Sequence, residues 1–325
     1  MIIRPELRAL RSDDAPQRRA QTALGMAVAA WRAAPWAATA EQELARFAGG
    51  AALEDLPLLA ALFTPGDPAA AEFCAGLVQT ILTRLADDPL GQSPLRHFTD
   101  DTITALTILR HGTTTLTLQA IDGAGLARRP QPASAAFTPS ETWEHVLAGE
   151  ARAETITVAA ADAHRADFAR TALQLAPGVV HHRAGEREVV MLHTVPRTLV
   201  SLKLQRRSSG CTVTREYALD DGALLHQAAG SPRDSRLELS AALLGRMGRT
   251  DAAPLLAAMA EEQGHTSLRW QALRECLALD TGQGFAALSR IARRAADPLA
   301  DPAGALRAQL IESHPQLAKV DPCPV

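Results

Sequence analysis

The stretch TITALTILRHGTTTLTLQAI at residues 102–121 decides the fold class of this chain. Within it, Leu116 and Leu118 flank Thr117, and this alternation of apolar and polar residues is typical of a half-buried β-strand. Gly112 offers a turn between this strand and the preceding one. The stretch therefore predicts two strands joined by a turn.

Alternation of the same kind continues downstream. Ile156 and Val158 alternate with threonines, and VSLKLQ at residues 200–205 places three apolar side chains on one face, which we expect to point inward. Such short strands recur roughly every 8–12 residues, a spacing that favours a β-sandwich or barrel. Arg128–Ser140 contains three prolines and is predicted to be a loop.

The sequence on either side of this β-rich stretch is helical in pattern. Phe73, Leu77, Ile81 and Leu85 recur every four residues, which is the spacing of an amphipathic helix. Residues 1–95 are therefore predicted to form an N-terminal helical region.

A second helical region is predicted at the C-terminal end. Two segments of this region align loosely with each other: LLGRMGRTDAAPLLAAMA at residues 243–260 and CLALDTGQGFAALSRIA at residues 276–292. Each segment contains an apolar helix, a glycine-containing turn and another helix. The chain is thus predicted to be an α+β protein in three parts: an N-terminal helical region at 1–95, a β-rich domain at 96–230 and a C-terminal helical module at 231–325.

The composition excludes several classes of protein. The 325 residues are 47% hydrophobic and 21% charged, as in ordinary globular proteins. A net charge of −3 gives no basic excess, which argues against a nucleic-acid partner. The sequence lacks an apolar run long enough for a membrane span and an N-terminal secretory signal. We therefore expect a cytoplasmic protein without a membrane partner.

Cysteine spacing and short motifs exclude further classes. Cys74, Cys211, Cys276 and Cys323 are far apart and form no CxxC pair, so zinc fingers and thioredoxin-type sites are not predicted. We expect Cys74 and Cys276 to be small buried side chains. The phosphate loops GxGxxG and GxxxxGK[ST], the GxSxG elbow and HExxH are all absent, which disfavours NTPases, Rossmann-type dehydrogenases, α/β-hydrolases and zincins.

Three phrases of the β-rich stretch carry a resemblance to a known family: EHVLAGEARAETITV at 144–158, LAPGVVHH at 175–182 and REVVMLHTVPRTLVSLKLQ at 187–205. With strands, glycine turns and a Pro-Gly turn before a histidine, they resemble the cupin-like double-stranded β-helix. The helices after residue 230 resemble HEAT-type repeats.

The cupin resemblance implies a metal motif of two histidines separated by one residue, then a glutamate and a later histidine. Here His181 and His182 are adjacent, so they point to opposite faces of a strand and only one of them faces inward. This departure puts the implied metal site in doubt.

The best candidate metal site consists of His182, Glu188 and His193. Two imidazoles and a carboxylate form the ligand set of non-haem iron enzymes, which makes Fe(II) the candidate cofactor. Glu188 and His193 are five residues apart, so a bulge or turn would be needed to bring them to one face. The alternative is that all three are surface and loop residues around a hairpin that turns at Arg183–Gly185.

Two further groups are candidates for binding. Trp143 and His145 are predicted to line a ligand pocket, and the alternative is that Trp143 packs in the core while His145 faces water. A partner-binding surface for an acidic peptide or phosphate is predicted on the C-terminal helices, with the alternative that these side chains stabilise helix ends and pack. Its residues are Arg246, Arg249, Arg269, Trp270 and Arg274.

These observations favour a non-catalytic accessory or regulatory protein. Its β domain would bind a small ligand, and its C-terminal helices would bind a protein partner. The alternatives are a cupin-type non-haem iron-dependent oxygenase and a purely structural scaffold.

Overall fold

The structure is a computed structural model that describes residue 10 and residues 12–207, 213–229 and 231–320. The chain divides into two compact units, one formed by residues 1–207 and 218–223 and the other by residues 208–217 and 224–325. The three-part division at 95/96 and 230/231 stays a prediction.

The first unit begins with helices, most of whose buried side chains belong to one apolar cluster. In the last of these helices, Phe73, Leu77 and Ile81 are buried and Leu85 is partly buried, as their four-residue spacing predicted. Three of the helices have a proline in the first turn, where a missing N–H group costs no hydrogen bond. The elements are α1 (Ala15–Ala33), α2 (Pro35–Ala48), a 3-10 turn (Leu53–Asp55), α3 (Pro57–Leu62) and α4 (Ala69–Asp87).

Antiparallel strands follow. Those of the first unit are β1 (His97–Thr99), β2 (Ile103–His111), β3 (Thr114–Asp122), β4 (Ser134–Phe137), β5 (Ser140–Ala148), β6 (Ala151–Ala161), β7 (Ala166–Leu175), β8 (Val180–Ala184), β9 (Glu188–Thr194) and β10 (Thr198–Arg207), with a short helix α5 (Gly123–Arg128) after β3. Gly112 has a φ of +56° in the turn between β2 and β3, a conformation that glycine adopts readily, so the predicted turn is confirmed.

The strands form two sheets in the connectivity of a jelly roll. One sheet has the order β1-β2-β3-β10-β5-β8 and the other has the order β7-β6-β9, and β4 lies beside β9. The chain moves from β5 in the first sheet to β6 and β7 in the second, returns at β8, crosses again at β9 and ends in the first sheet at β10. This double-sheet arrangement is the architecture that cupins share. The predicted α+β fold, with antiparallel sheets and helices at both ends, is confirmed.

The predicted loop at Arg128–Ser140 was wrong in its centre. Residues 134–137 form β4, in which Ala135 and Phe137 are buried and Ala136 between them is exposed. A strand this short between prolines carries too few alternating residues to be recognised from its pattern alone.

The six-stranded sheet is covered on both faces. On one face, Leu116, Leu202 and Leu204 pack with Leu44 and Phe47 of α2 in one buried cluster. The other face looks towards the second sheet, and a separate apolar cluster joins the two sheets. Its members include Ile121, Val146 and Leu199 from the first sheet and Ala153, Leu175 and Leu192 from the second.

The second unit contains a β-hairpin and C-terminal helices. They are β11 (Val213–Ala218), β12 (Leu224–Ala229), α6 (Pro232–Arg246), a 3-10 turn (Thr250–Ala252), α7 (Ala253–Glu261), α8 (Thr266–Leu279), α9 (Thr281–Ala292), α10 (Ala300–Ser313) and a 3-10 segment (Pro315–Lys319). Helices α7 to α10 enclose a core that includes Leu256, Leu273, Phe285 and Leu288. Helices lie where the two predicted pairs were placed, and their membership of the HEAT family stays a prediction.

The expected buried thiols are confirmed. Cys74 and Cys276 are both free and buried, and burial raises the pKa of Cys74 to about 12. Cys211 and Cys323 lie outside the described residues. Across the helices that the structure describes, none has the length and apolar character of a membrane-spanning segment.

Candidate functional site

Three neighbouring strands of the six-stranded sheet align a row of polar side chains. Lys203 of β10 pairs with Glu144 of β5, which in turn pairs with His181 of β8. Residues two apart share a face of a strand, so Lys203 lies on the face of Leu199 and Glu144 on the face of Val146. Leu199 and Val146 belong to the apolar cluster between the sheets. The row therefore projects between the two sheets.

A second row lies beside the first. Gln205 pairs with Thr142, and Thr142 with Arg183. The amide of Gln205 donates to the Thr142 hydroxyl oxygen at 3.3 Å. Glu144 links the two rows, because Nη1 of Arg183 lies 3.8 Å from its Oε2. Its Oε1 accepts a hydrogen bond from the Ser201 hydroxyl at 2.7 Å.

The opposite sheet completes the site with Thr155 of β6 and Glu188 of β9. The Thr155 hydroxyl lies 3.5 Å from Nε2 of His181, which directly connects the two sheets. Glu188 shares its face with Val190 and Leu192 of the inter-sheet cluster, and its carboxylate accepts a hydrogen bond from the backbone N–H of Ala184 at 3.2 Å. We call the group Lys203, Glu144, His181, Arg183 and Glu188 the inter-sheet site.

Burial lowers the pKa of three groups in the inter-sheet site. It is the largest cause for Lys203, Arg183 and His181. The positive charge of Arg183 further lowers the pKa of Lys203 and of His181, whereas the negative charge of Glu144 opposes this effect. A pKa below 6.5 keeps the His181 imidazole mainly neutral at pH 7.

The inter-sheet site is suited to holding a small polar molecule. All five of its side chains are partly exposed, so solvent reaches them, and the apolar cluster lies on the same interior face of the sheets. The site combines guanidinium, ammonium and carboxylate groups with an imidazole that can donate or accept. Such convergent polar groups above an apolar floor are typical of ligand sites.

The structure does not bring the predicted metal ligands together. His182 lies on the face of the sheet that packs against the helices, with its ring 4.2 Å from that of Trp143. Glu188 points between the sheets, and His193 lies on the outer face of the second sheet, where Nε2 is 3.7 Å from Glu154. Within residues 12–207, 213–229 and 231–320, no three His, Cys, Asp or Glu side chains are grouped to hold a metal ion. The chosen residues therefore do not fit an iron centre, and Fe(II) binding stays a prediction.

The predicted pocket residues lie under the N-terminal helices. Trp143 packs edge-to-face on Phe47 at 5.4 Å. His145 is buried, and its Nδ1–H donates to the Leu62 carbonyl at the end of α3 at 2.7 Å. Both side chains thus attach the sheet to the helices.

The predicted partner-binding residues occupy different environments. Arg269 is 5% exposed and donates to Asp297 at 2.6 Å and to the Ala260 carbonyl, so it holds the helices together. Arg249 is exposed and forms an ion pair with Asp251. Arg246 and Arg274 are exposed.

Trp270 is half-buried and, with Arg274, lines a groove of about 540 Å³ between α8 and α10. Leu306, Leu310 and His314 form the opposite wall of this groove. The groove therefore places two of the predicted partner-binding residues beside one apolar surface.

The sequence analysis missed four members of the inter-sheet site: Lys203, Glu144, His181 and Arg183. The available signal was the alternation in VSLKLQ, whose polar positions share a face with Lys203. Because a polar strand face ordinarily meets solvent, the alternation alone predicts no site on that face.

Comparisons with known proteins identify solved structures that match only part of this chain. They include a cupin superfamily protein from Desulfitobacterium hafniense DCB-2 (12% identity, 34% of this chain and 83% of that chain, TM-score 0.23), the CENP-C cupin domain of Drosophila melanogaster (13%, 35% and 76%, TM-score 0.26) and KdgF from Halomonas sp. (12%, 35% and 88%, TM-score 0.24). No family model matches the sequence, and no curated protein matches it. These TM-scores carry no argument about function, and the cupin-like description rests on the strand order.

Proposed function

We propose that this chain is a non-catalytic accessory or regulatory protein that holds a small polar ligand between the sheets of its cupin-like domain and binds a protein partner through its C-terminal helices. The observation that supports the ligand is the row Lys203, Glu144 and His181 on an interior sheet face that solvent reaches. Charged side chains are rarely placed in an interior without a binding or structural role.

The contacts of the Glu144 and Glu188 carboxylates favour ligand binding over catalysis. Glu144 accepts a hydrogen bond from Ser201, and Glu188 accepts one from a backbone N–H group. Side chains fixed by such contacts offer a pre-organised surface, which lowers the entropy cost of binding. A small sheet sandwich encloses room for its own side chains and at most one small ligand, which sets the size of the molecule.

Native mass spectrometry of the purified protein tests the ligand. We expect a bound small molecule in the wild type and its loss from the Glu144→Gln/Lys203→Met double variant. Glu150→Gln is the matched control, because Glu150 is an exposed residue of the turn between β5 and β6. Equal retention in all three proteins, or a wild type that carries no molecule and is stabilised by none of a panel of metabolites, would contradict the proposal.

An exposed apolar stripe supports the partner half of the proposal. Leu239, Leu243 and Met247 recur every four residues along and just beyond α6 and are 70%, 58% and 58% exposed. Adjacent exposed apolar side chains on one helical face are typical of protein interaction surfaces. Arg246 lies on the same exposed side, which agrees with the predicted preference for an acidic partner.

Affinity purification with point variants tests this surface. We expect Leu239→Ser/Leu243→Ser to lose a partner that the wild type retains, while Leu255→Ser, which alters an exposed leucine on α7, keeps it. If every captured protein is retained by all three chains, the α6 stripe is not the binding surface.

A further inference from the structure

Three cations share the interior face of the six-stranded sheet. Lys203 and Arg207 are four residues apart on β10 and therefore point to the same side. Arg183 of β8 lies in the row of Gln205, between those two positions. The charges of Arg183 and Arg207 both act on Lys203, so the three groups belong to one electrostatic cluster.

The carboxylates of the inter-sheet site leave this cluster incompletely neutralised. Glu144 and Glu188 supply two negative charges against three positive ones, and His181 is mainly neutral at pH 7. Arg183 approaches Glu144 only to 3.8 Å, which is beyond hydrogen-bond distance. Among the described residues, the side chains of Lys203 and Arg207 form no ion pair or hydrogen bond. The cluster therefore has donors and positive charge in excess.

We infer that the inter-sheet site takes a small molecule with an anionic group, a carboxylate or a phosphate, held between Lys203 and Arg183. The inference rests on the proposed ligand site and names its ligand class. Cations that outnumber their counter-ions in a partly desolvated site are costly, and an anion offsets that cost. The planar fork of Arg183 matches two oxygens of such a group, and the Lys203 ammonium adds a point charge.

The pKa of Lys203 supports the inference and is the quantity by which it can be tested. Burial and the charge of Arg183 lower its pKa, so part of its ordinary preference for the ammonium form is lost. An anion beside it restores that preference and raises the pKa. The chain contains only two lysines, Lys203 and Lys319, and Lys319 is exposed in the C-terminal segment.

The test is an NMR titration of the full chain labelled with ¹³C,¹⁵N-lysine, in which a Lys319→Arg variant assigns the two side-chain signals. The probes are succinate and inorganic phosphate, with neutral succinamide and cationic 1,4-diaminobutane as matched controls at constant ionic strength. We expect succinate or phosphate to shift the Lys203 signal and raise its pKa while Lys319 stays unchanged. The response to one acid but not the other identifies the anionic group.

Arg183→Met is the variant that tests the pairing. Loss of one charge-assisted contact should weaken the binding of the responding acid by about 10- to 100-fold, with unfolding temperature and circular dichroism confirming that the variant is folded. Unchanged affinity in this variant overturns the inference.

Other outcomes also separate the inference from the proposed function. A Lys203 response to succinamide or diaminobutane but to neither acid overturns the anion and leaves a ligand site in place. Equal responses of Lys203 and Lys319, or no response to any probe, overturn the inference, and native mass spectrometry then decides the ligand site independently.

Discussion

The two faces of β10 are both covered by another layer of the first unit, yet they differ in chemistry. Leu202 and Leu204 are fully buried against the N-terminal helices, whereas Lys203 and Gln205 are partly exposed between the sheets. The apolar face is the contact between sheet and helices, and the polar face lines the proposed site. In a sheet covered on both sides, alternation shows which residues share a face but not which layer each face meets.

Truncation of a side chain on the helix-facing side of β10 is expected to have the largest effect on stability. Leu204→Ala should lower the free energy of unfolding by about 2–5 kcal/mol, because it removes a fully buried side chain and leaves a cavity. Gln205→Ala on the other face is the matched control, with an expected loss of about 1 kcal/mol for its hydrogen bond to Thr142. Urea denaturation measures both, and equal losses would show that the two faces are not energetically distinct.

Loss of a polar contact on the helix-facing side of the sheet is expected to have an intermediate effect on stability. His145→Phe keeps a ring of similar shape but leaves the Leu62 carbonyl without its donor, at a cost of about 1–3 kcal/mol. His193→Phe, on the outer face of the second sheet, should stay within about 0.5 kcal/mol of the wild type. Thermal unfolding compares them, and an unaffected His145→Phe variant would mean that this contact does not hold helix and sheet together.

The smallest expected effect is a pH dependence on the site-facing side. The pKa of His181 is lowered on folding, so the unfolded chain binds the proton more readily. Its contribution to stability is fully present above the unfolded pKa of about 6.5 and is lost as the pH falls through the lower folded value. His181→Gln should therefore flatten the loss of stability below pH 6.5. Identical pH profiles from denaturant titrations of both proteins would contradict this assignment.

The sequence predicted the fold class because alternation and four-residue periodicity are local properties. Strands such as β3 and β10 and helices such as α4 follow from them directly. The inter-sheet site depends instead on which strands become neighbours. Lys203, Glu144 and His181 lie in one row because β10, β5 and β8 are adjacent, and no local pattern specifies that order.

The adjacent histidines His181 and His182 show that the predicted site residue differed from the observed one by a single position. Adjacent residues of a strand must face opposite sides, so only one of His181 and His182 could point inward. The sequence analysis chose His182, which lies against Trp143, and the structure places His181 in the site. The choice between them depends on the pairing of β8 with β5, a long-range contact.

Strand β5 has a property that matters for the proposed ligand site. Glu144 belongs to the inter-sheet site, while the next residue, His145, is bonded to the end of α3. The two side chains leave one strand on opposite faces, so a ligand that shifts the backbone of β5 at Glu144 would also move the imidazole of His145. A backbone shift of this kind would connect the proposed ligand site to the helical layer on the far side of the sheet.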